Sequence, residues 1–368
     1  MNTKKNIGVL GLLGLVIMIQ LLTHWTGTQY YLTQLTMSAY YSLVILGLCV
    51  LMGYAGQISL GHAGFFAIGG YLAAALTTHD LTPYSNTLII QVLNRCGLLI
   101  QGQDIYGDVL LYFNPWVSCI LAISAAALTA LVTGIPVLKL KGHYLAMATL
   151  GFGTIIYRIV LASAFFGEAD GISDVPPFTL VSGIPGLPVI EVSGDFSGRV
   201  QNYYIAWSMV IAGTLLLLNL IDSRVGRALR SIHGSEETAD AMGINTARYK
   251  LKTFILSAIF AAAAGVFLTH FNGGIGPSEA GIMKSVRYVA IVAVGGMANI
   301  WGALTMGVLL NFLSLRGIFG TYDDAVFGLI LILIMLFAPE GILSIRIRQR
   351  LRNAFSSSTS EIRGGESS

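Results

Sequence analysis

The sequence has 368 residues, of which 55% are hydrophobic and only 11% are charged, and its formal net charge is +3. An average soluble domain carries about 25% charged residues. Together with a mean hydropathy of +0.74, this deficit excludes a water-exposed globular protein and predicts an integral membrane protein with one membrane domain. The 43 glycines agree, because glycine is more frequent in membrane helices than in soluble ones.

Ten apolar runs are candidates for transmembrane helices, which need about 20 apolar residues each. In chain order they are 7–22, 36–52, 58–77, 116–138, 143–162, 204–221, 251–271, 288–297, 301–313 and 325–338. The first run resembles a signal peptide, but no small-residue cleavage site follows it, so we expect a first transmembrane helix. We therefore predict an all-α polytopic protein with about ten transmembrane helices.

Charge asymmetry predicts which side of the membrane each loop faces. With the N-terminus in the cytoplasm and ten crossings, most basic residues fall inside and most acidic residues fall outside, as the positive-inside rule requires. An odd number of crossings would place the arginines of 346–352 outside. Both termini are therefore expected in the cytoplasm.

The same topology divides the chain into segments. Residues 1–345 form the predicted transmembrane domain, with outer loops near 78–115 and 163–203 and a cytoplasmic loop at 222–250. The two outer loops contain glycine, proline and acidic residues, and we expect small caps or short hairpins there. The basic tail 346–368 is polar and of low complexity, which predicts a disordered segment.

The stretch GYAGQISLGHAGFFAIGGYLAAA, residues 53–75, combines glycines with polar side chains inside an apolar run. We expect the chain to be unwound after Gly53 and Gly56, and a helix to bring Ser59, Ala63 and Ala67 onto one small-residue face. Two interpretations remain: a tight helix interface with a structural histidine, or the lining of a translocation path. The residues proposed for the path are Gln57, Ser59, Gly61, His62, Gly64, Phe65 and Phe66.

A second glycine-interrupted segment, 288–313, offers a counterpart. A short apolar run ends at Gly295 and Gly296, and another begins near Trp301. Paired interrupted segments are typical of transporters built from two repeats, so a helix break is predicted at these glycines. The alternative is a tight cytoplasmic hairpin between two ordinary helices.

The cytoplasmic loop contains the pattern of a short helix. Ser235 suits a helix N-cap, the acids that follow it suit the first turn, and Gly243 suits the stop. The helix either docks a soluble partner or belongs to an ordinary solvated loop. The residues predicted to couple to a partner are Arg227, Glu236, Glu237, Ala239 and Gly243.

Chemistry-bearing motifs are otherwise missing from the sequence. The three cysteines and six histidines show no metal-ligand spacing, no catalytic constellation appears, and there is no GxxxxGK[ST] phosphate loop. We expect neither catalytic residues, nor a metal, nor a cofactor in this chain. If ATP drives it, the ATP binds to a separate chain.

Several segments resemble the LivM-like family of permease subunits of bacterial ABC importers for branched-chain amino acids. They are GYAGQISLGHAGFFAIGGY, KGHYLAMATLGFGTI, ADGISDVPP, GRALRSIHGSEETADAMGINTARYKLKTF and AIVAVGGMANIWGAL. The resemblance implies an inner-membrane subunit that pairs with an identical or homologous permease. It also implies two cytoplasmic ATP-binding subunits and a periplasmic solute-binding protein as partners, and no nucleic acid. Permeases for urea and short amides are similar and form the alternative.

An ion-coupled secondary transporter is the candidate from another class. Such proteins usually place carboxylates near the membrane midplane. The predicted spans contain no interior Asp or Glu, and only His62 and Arg158 qualify as buried ionisable groups. The sequence therefore argues against coupling to protons or sodium.

Overall fold

The architecture comes from a computed structural model that describes residues 3–95, 97–103, 109–140, 142–181, 189–318 and 320–337. The α-helices in these ranges are α1 Thr3–Trp25, α2 Tyr30–Ala55, α3 His62–Thr78, α4 Leu88–Arg95, α5 Pro115–Val137, α6 His143–Ala162, α7 Arg199–Asp222, α8 Arg224–Gly234, α9 Glu236–Ala241, α10 Thr246–Asn272, α11 Ile282–Gly295, α12 Ile300–Leu315 and α13 Asp323–Phe337. The strands are β1 Leu99–Gln103, β2 Val109–Phe113, β3 Ile172–Ser173, β4 Phe178–Val181, β5 Ile190–Val192 and β6 Gly274–Ile275.

Each of the ten predicted spans coincides with a helix. Six helices, α1, α2, α5, α6, α7 and α10, are long and apolar enough to cross a membrane. The others, α3, α11, α12 and α13, have 14 to 17 residues. The chain is therefore a mainly helical, polytopic membrane protein; its predicted tail, 346–368, lies outside the described residues.

The predicted span 58–77 requires a correction at its start. Helix α2 ends at Ala55, and Gly56 adopts a left-handed conformation with φ of 66°. Residues 56–61 are not helical, and α3 begins only at His62. The unwinding expected after Gly56 is therefore confirmed, but Ser59 does not share a helical face with Ala63 and Ala67.

Close packing of α3 instead depends on glycines further along the helix. A Cβ on Gly69 would lie 2.6 Å from the Cα of Ala262 in α10. Conversely, a Cβ on Gly265 of α10 would collide with the carbonyl oxygen of Phe66. The two backbones touch because neither glycine carries a side chain, which is the packing mode that small residues allow in membranes.

The described loops add three small antiparallel sheets to the predicted helical bundle. β1 pairs with β2 within the loop 78–115, and β4 pairs with β5 within the loop 163–203, which confirms the expected hairpins. β3 pairs with β6, so the loop 163–203 is tied to the segment that follows α10. The carboxylate of Asp80 accepts hydrogen bonds from the Thr82 and Leu111 amides, which fastens β2 near the end of α3.

Helix α2 lies at the centre of the bundle. Nearly all of its residues from Leu32 to Ala55 are buried, and it packs against α7, α10 and α12. α1, α5 and α6 instead expose large apolar side chains along much of their length, which is the surface expected to face lipid. The outer helices thus shield a core made of α2, α3 and α10.

The close contact between α3 and α10 can be tested with Gly69→Ala. The added methyl group collides with backbone atoms of Ala262, and such overpacking costs about 1–3 kcal/mol. We expect a lower melting temperature for the purified protein in detergent. Gly151→Ala in α6 is the matched control, since its Cβ meets no atom within 4 Å; equal melting temperatures for the two variants would contradict the packing.

Candidate functional site

The first turn of α3 lies inside the bundle rather than at its surface. Nε2 of His62 is 2.7 Å from Oγ of Ser257 in α10. Ser257 is eleven residues into that helix, which corresponds to about 16 Å of rise. Since the apolar core of a bilayer is about 30 Å thick, α3 begins roughly halfway through the membrane-spanning bundle.

The imidazole of His62 is satisfied within the protein. It is 1% exposed, with Nδ1 3.0 Å from Oγ of Ser59 and Nε2 paired with Ser257. Both ring nitrogens therefore have serine partners in this conformation. This geometry ties the non-helical segment to α3 and α10, as the structural interpretation of His62 requires.

The backbone at the start of α3 is held by side chains from two other helices. The amide of Ala63 donates to Oγ of Ser285 in α11, and the amide of Leu60 donates to Oγ1 of Thr149 in α6. Ser285 lies in the first turns of α11. The N-termini of α3 and α11 therefore meet inside the bundle, and both present the positive end of a helix dipole there.

Gly61 and Gly64 bring α6 against this junction. A Cβ on Gly61 would lie 2.5 Å from the Thr149 carbonyl oxygen, and one on Gly64 would lie 3.3 Å from the Cα of Gly153. Side chains larger than hydrogen would push the two helices apart. The glycines therefore allow α6 to cover the first turn of α3.

The remaining predicted path residues are buried close by. The ring of Phe65 packs 4.7 Å from Phe152 and 5.5 Å from Phe254, and Phe66 packs 5.9 Å from Tyr41. Gln57 is 2% exposed, and neither atom of its amide has a partner among the described residues. All seven path residues thus lie in one closed region around the start of α3.

Gly295 and Gly296 lie elsewhere, at the opposite end of α11. The helix ends at Gly295, Gly296 has φ of 96°, and α12 begins at Ile300. A Cβ on Gly295 would lie 2.6 Å from the Cα of Ala303, so the backbones of α11 and α12 are in close contact there. The glycines mark a tight turn between two helices, which was the second of the two interpretations.

Sequence analysis missed an ion pair near the α3–α11 junction. Nζ of Lys284 is 2.8 Å from Oε1 of Glu279, and the two side chains are 22% and 19% exposed. Both residues lie between the predicted spans 251–271 and 288–297, and only His62 and Arg158 were counted as buried ionisable groups. That count is wrong: Lys284 and Glu279 are largely buried, whereas Arg158 is exposed. Gly281, directly before the short α11 run, was the available signal that the chain enters the bundle there.

Helix α9 has the caps predicted for the short helix of the loop 222–250. The side chain of Ser235 accepts a hydrogen bond from the Thr238 amide, and Gly243 has φ of 82° beyond the end of α9. Ala239 is buried, whereas Met242 is 78% exposed. Met242 lies after the last helical residue, where the chain has already turned away.

α8 and α9 pack beneath the end of α2. Ala55, Leu229, Ile232 and Ala239 form one buried apolar cluster, and Glu236 pairs with Lys250 of α10 at 2.5 Å. The other coupling residues of the set face outward: Arg227 and Glu237 are exposed. A force applied to α9 would therefore be transmitted to the end of α2, which adjoins the non-helical segment 56–61.

The described residues thus form a polytopic bundle that buries a helix start at mid-depth and packs α8 and α9 against the end of α2. The described residues contain no group of three or more metal-ligating side chains. The model of the family "Branched-chain amino acid transport system / permease component" matches residues 30–336. The chain belongs to this family, whose members are transport permease subunits.

Individual relatives agree with the family match. The high-affinity branched-chain amino acid transport system permease protein LivM of Salmonella typhimurium is 30% identical, over 84% of this chain and 68% of LivM. LivH of the same organism is 27% identical over 85% of this chain and 96% of LivH. BraD of Pseudomonas aeruginosa is 26% identical over 84% and 93%. No solved structure matches the chain.

The hydrogen bonds of His62 can be tested with a double-mutant cycle. His62→Phe leaves the hydroxyl of Ser257 buried without a partner, which costs about 1–3 kcal/mol. We expect His62→Phe to lower the melting temperature and the added Ser257→Ala to recover part of the loss, because neighbouring residues couple by about 0.5–3 kcal/mol.

The control for this cycle is Ser208→Ala, which removes an exposed hydroxyl of α7 and should not rescue His62→Phe. Strictly additive effects of His62→Phe and Ser257→Ala on stability would show that the two side chains do not interact.

Proposed function

We propose that this chain is the membrane-spanning subunit of an ATP-driven importer that moves branched-chain or related small amino acids into the cytoplasm. Its relatives LivM, LivH and BraD are permease proteins of branched-chain amino acid transport systems. The observation that carries the proposal is the family match over residues 30–336, joined to the buried start of α3. A helix that starts inside the bundle can expose polar backbone groups to a substrate when its neighbours move.

The proposed topology has ten crossings, with both termini in the cytoplasm of a bacterium and the chain in its inner membrane. In this topology α8 and α9 lie at the cytoplasmic face, whereas the three sheets lie at the periplasmic face. Basic residues such as Arg224, Arg227 and Arg230 then fall inside, as the positive-inside rule requires.

The proposed partners follow from the family. Two ATP-binding subunits would dock on the α8–α9 helices of this chain and of a second permease, identical or homologous. A periplasmic solute-binding protein would deliver the substrate to the outer face. ATP hydrolysis would take place on the separate chains, since this one has no phosphate loop.

The mechanism we propose is alternating access driven from α9. Closure of the ATP-binding subunits would push α9 against the cluster formed by Ala55, Leu229, Ile232 and Ala239. The shift of α2 would separate the start of α3 from α6 and α11. The path residues, buried in the closed form, would then line an opening.

The family match, rather than the absence of acidic groups, favours an ATP-driven importer over an ion-coupled transporter. Glu279 is a partly buried carboxylate, so the sequence argument against ion coupling does not hold. Reconstitution decides between the two. Vesicles that hold the chain with its ATP-binding, second permease and binding-protein partners should accumulate leucine only when ATP is present. Accumulation driven by a proton or sodium gradient, without an ATP-hydrolysing chain, would refute the proposal.

The docking assignment predicts the behaviour of a double variant in α9. Glu237→Lys reverses an exposed charge, and Gly243→Pro cannot adopt φ of 82° because proline fixes φ near −65°. We expect the double variant to lose ATP-driven leucine uptake while the protein remains in the membrane. Asp170→Lys, an exposed charge reversal in the opposite loop, is the control and should leave coupling to the ATP-binding subunits intact. Normal uptake by the α9 variant would refute the docking assignment.

A further inference from the structure

Glu279 and Lys284 form a compact charge pair with the hydroxyl of Tyr41. The Tyr41 hydroxyl is 3.1 Å from both carboxylate oxygens of Glu279, and Nζ of Lys284 is 3.2 Å from the same hydroxyl. Lys284 also lies 4.7 Å above the centre of the Tyr41 ring. The third N–H of its ammonium group has no partner among the described residues.

The pair lies within the bundle, beside the junction of α3 and α11. Tyr41 is in the middle of α2, fourteen residues before its end. Oγ of Ser285, next to Lys284, accepts a hydrogen bond from the amide of Ala63. Charged side chains at such depth are costly and usually serve a pathway or a partner.

Two tyrosine hydroxyls close to the pair are unused. Tyr71 is 1% exposed and Tyr288 is fully buried, and neither hydroxyl has a hydrogen-bond partner among the described residues. The ring of Tyr288 lies 6.3 Å from that of Tyr41, and α3, which carries Tyr71, packs against the turn Pro277–Ala280 that carries Glu279. A buried hydroxyl without a partner is unfavourable, and its cost is removed when a ligand supplies the missing hydrogen bond.

The position of Lys284 calls for an anion, which Glu279 supplies in this conformation. It is the third residue of α11, where the helix dipole repels a cation. The N-terminus of α3 adds a second positive helix end at the same place. A carboxylate from a ligand would face two helix N-termini and an ammonium group, while Glu279 would be free to face a cation.

We propose that Glu279 and Lys284 bind the charged head group of a zwitterionic amino acid during its passage, with Tyr41, Tyr71 and Tyr288 as hydrogen-bonding partners. The inference rests on the proposed function and names residues for it. The substrate's ammonium group pairs with Glu279, and its carboxylate pairs with Lys284 and the two helix N-termini. One internal ion pair is exchanged for two intermolecular ones, so the net charge of the site does not change.

A purely structural ion pair and a binding site would give opposite results in a double-mutant cycle. Removing one partner leaves a buried charge uncompensated, whereas removing both leaves none. A structural pair is therefore rescued in the double variant Glu279→Gln/Lys284→Met, but a binding site is not.

The experiment measures leucine uptake and ATP hydrolysis by the reconstituted complete transporter. We expect each single variant, Glu279→Gln and Lys284→Met, to lower uptake about tenfold or more, because a charged hydrogen bond is lost. The double variant should remain equally defective, while ATP hydrolysis stimulated by the binding protein persists. Met283→Leu, an exposed neighbour in α11, is the matched control and should transport normally.

Tyr288→Phe tests the site without disturbing the ion pair. It removes a hydroxyl that has no partner in the closed protein, so the melting temperature should not fall, yet leucine uptake should drop about 2- to 10-fold. Normal uptake by the double variant, or by both single variants, would overturn the inference. Absence of uptake by the wild-type transporter would instead overturn the proposed function, on which the inference rests.

Discussion

At membrane depth every backbone N–H and C=O needs a partner inside the protein, and this constraint governs the start of α3. Residues 56–61 are not helical, so their amides cannot use the usual helical ladder. The amides of Leu60 and Ala63 are satisfied by Thr149 of α6 and Ser285 of α11. Three helices therefore meet at one point because an interrupted helix has to be completed by its neighbours.

The same interruption links α8 and α9 to the centre of the bundle. The segment 56–61 begins where α2 ends, and the end of α2 is buried against α8 and α9. Gly61 and Gly64 allow α6 to lie directly on the segment. A displacement of α9 would thus act on the least regular part of the membrane domain, which is held by a few side-chain hydrogen bonds.

Much of this architecture could be predicted from the sequence, because apolar runs of helical length leave few alternatives in a membrane. The ten runs, the cap at Ser235 and the stop at Gly243 were all found in this way. Local chemistry defined them: hydropathy for the runs, a hydroxyl for the cap and a positive φ for the stop.

Long-range contacts could not be predicted in the same way. The partner of His62 is Ser257, nearly two hundred residues away, and nothing in either local pattern indicates the pairing. The burial of Glu279 and Lys284 was not predicted because both lie between the predicted spans 251–271 and 288–297, whereas the fold places them beside Tyr41 within the bundle. The β3–β6 sheet was not predicted because each of its strands has two residues, too few for a periodic signal.

The central claim is that the start of α3 opens when the ATP-binding subunits close. Hydrogen exchange of residues 56–66 in the assembled transporter, with and without a non-hydrolysable ATP analogue, tests it most directly. The account predicts that the amides of Leu60 and Ala63 lose protection when the analogue binds, while those in the middle of α2 stay protected. Unchanged protection at Leu60 and Ala63, together with a clear change at α9, would contradict it.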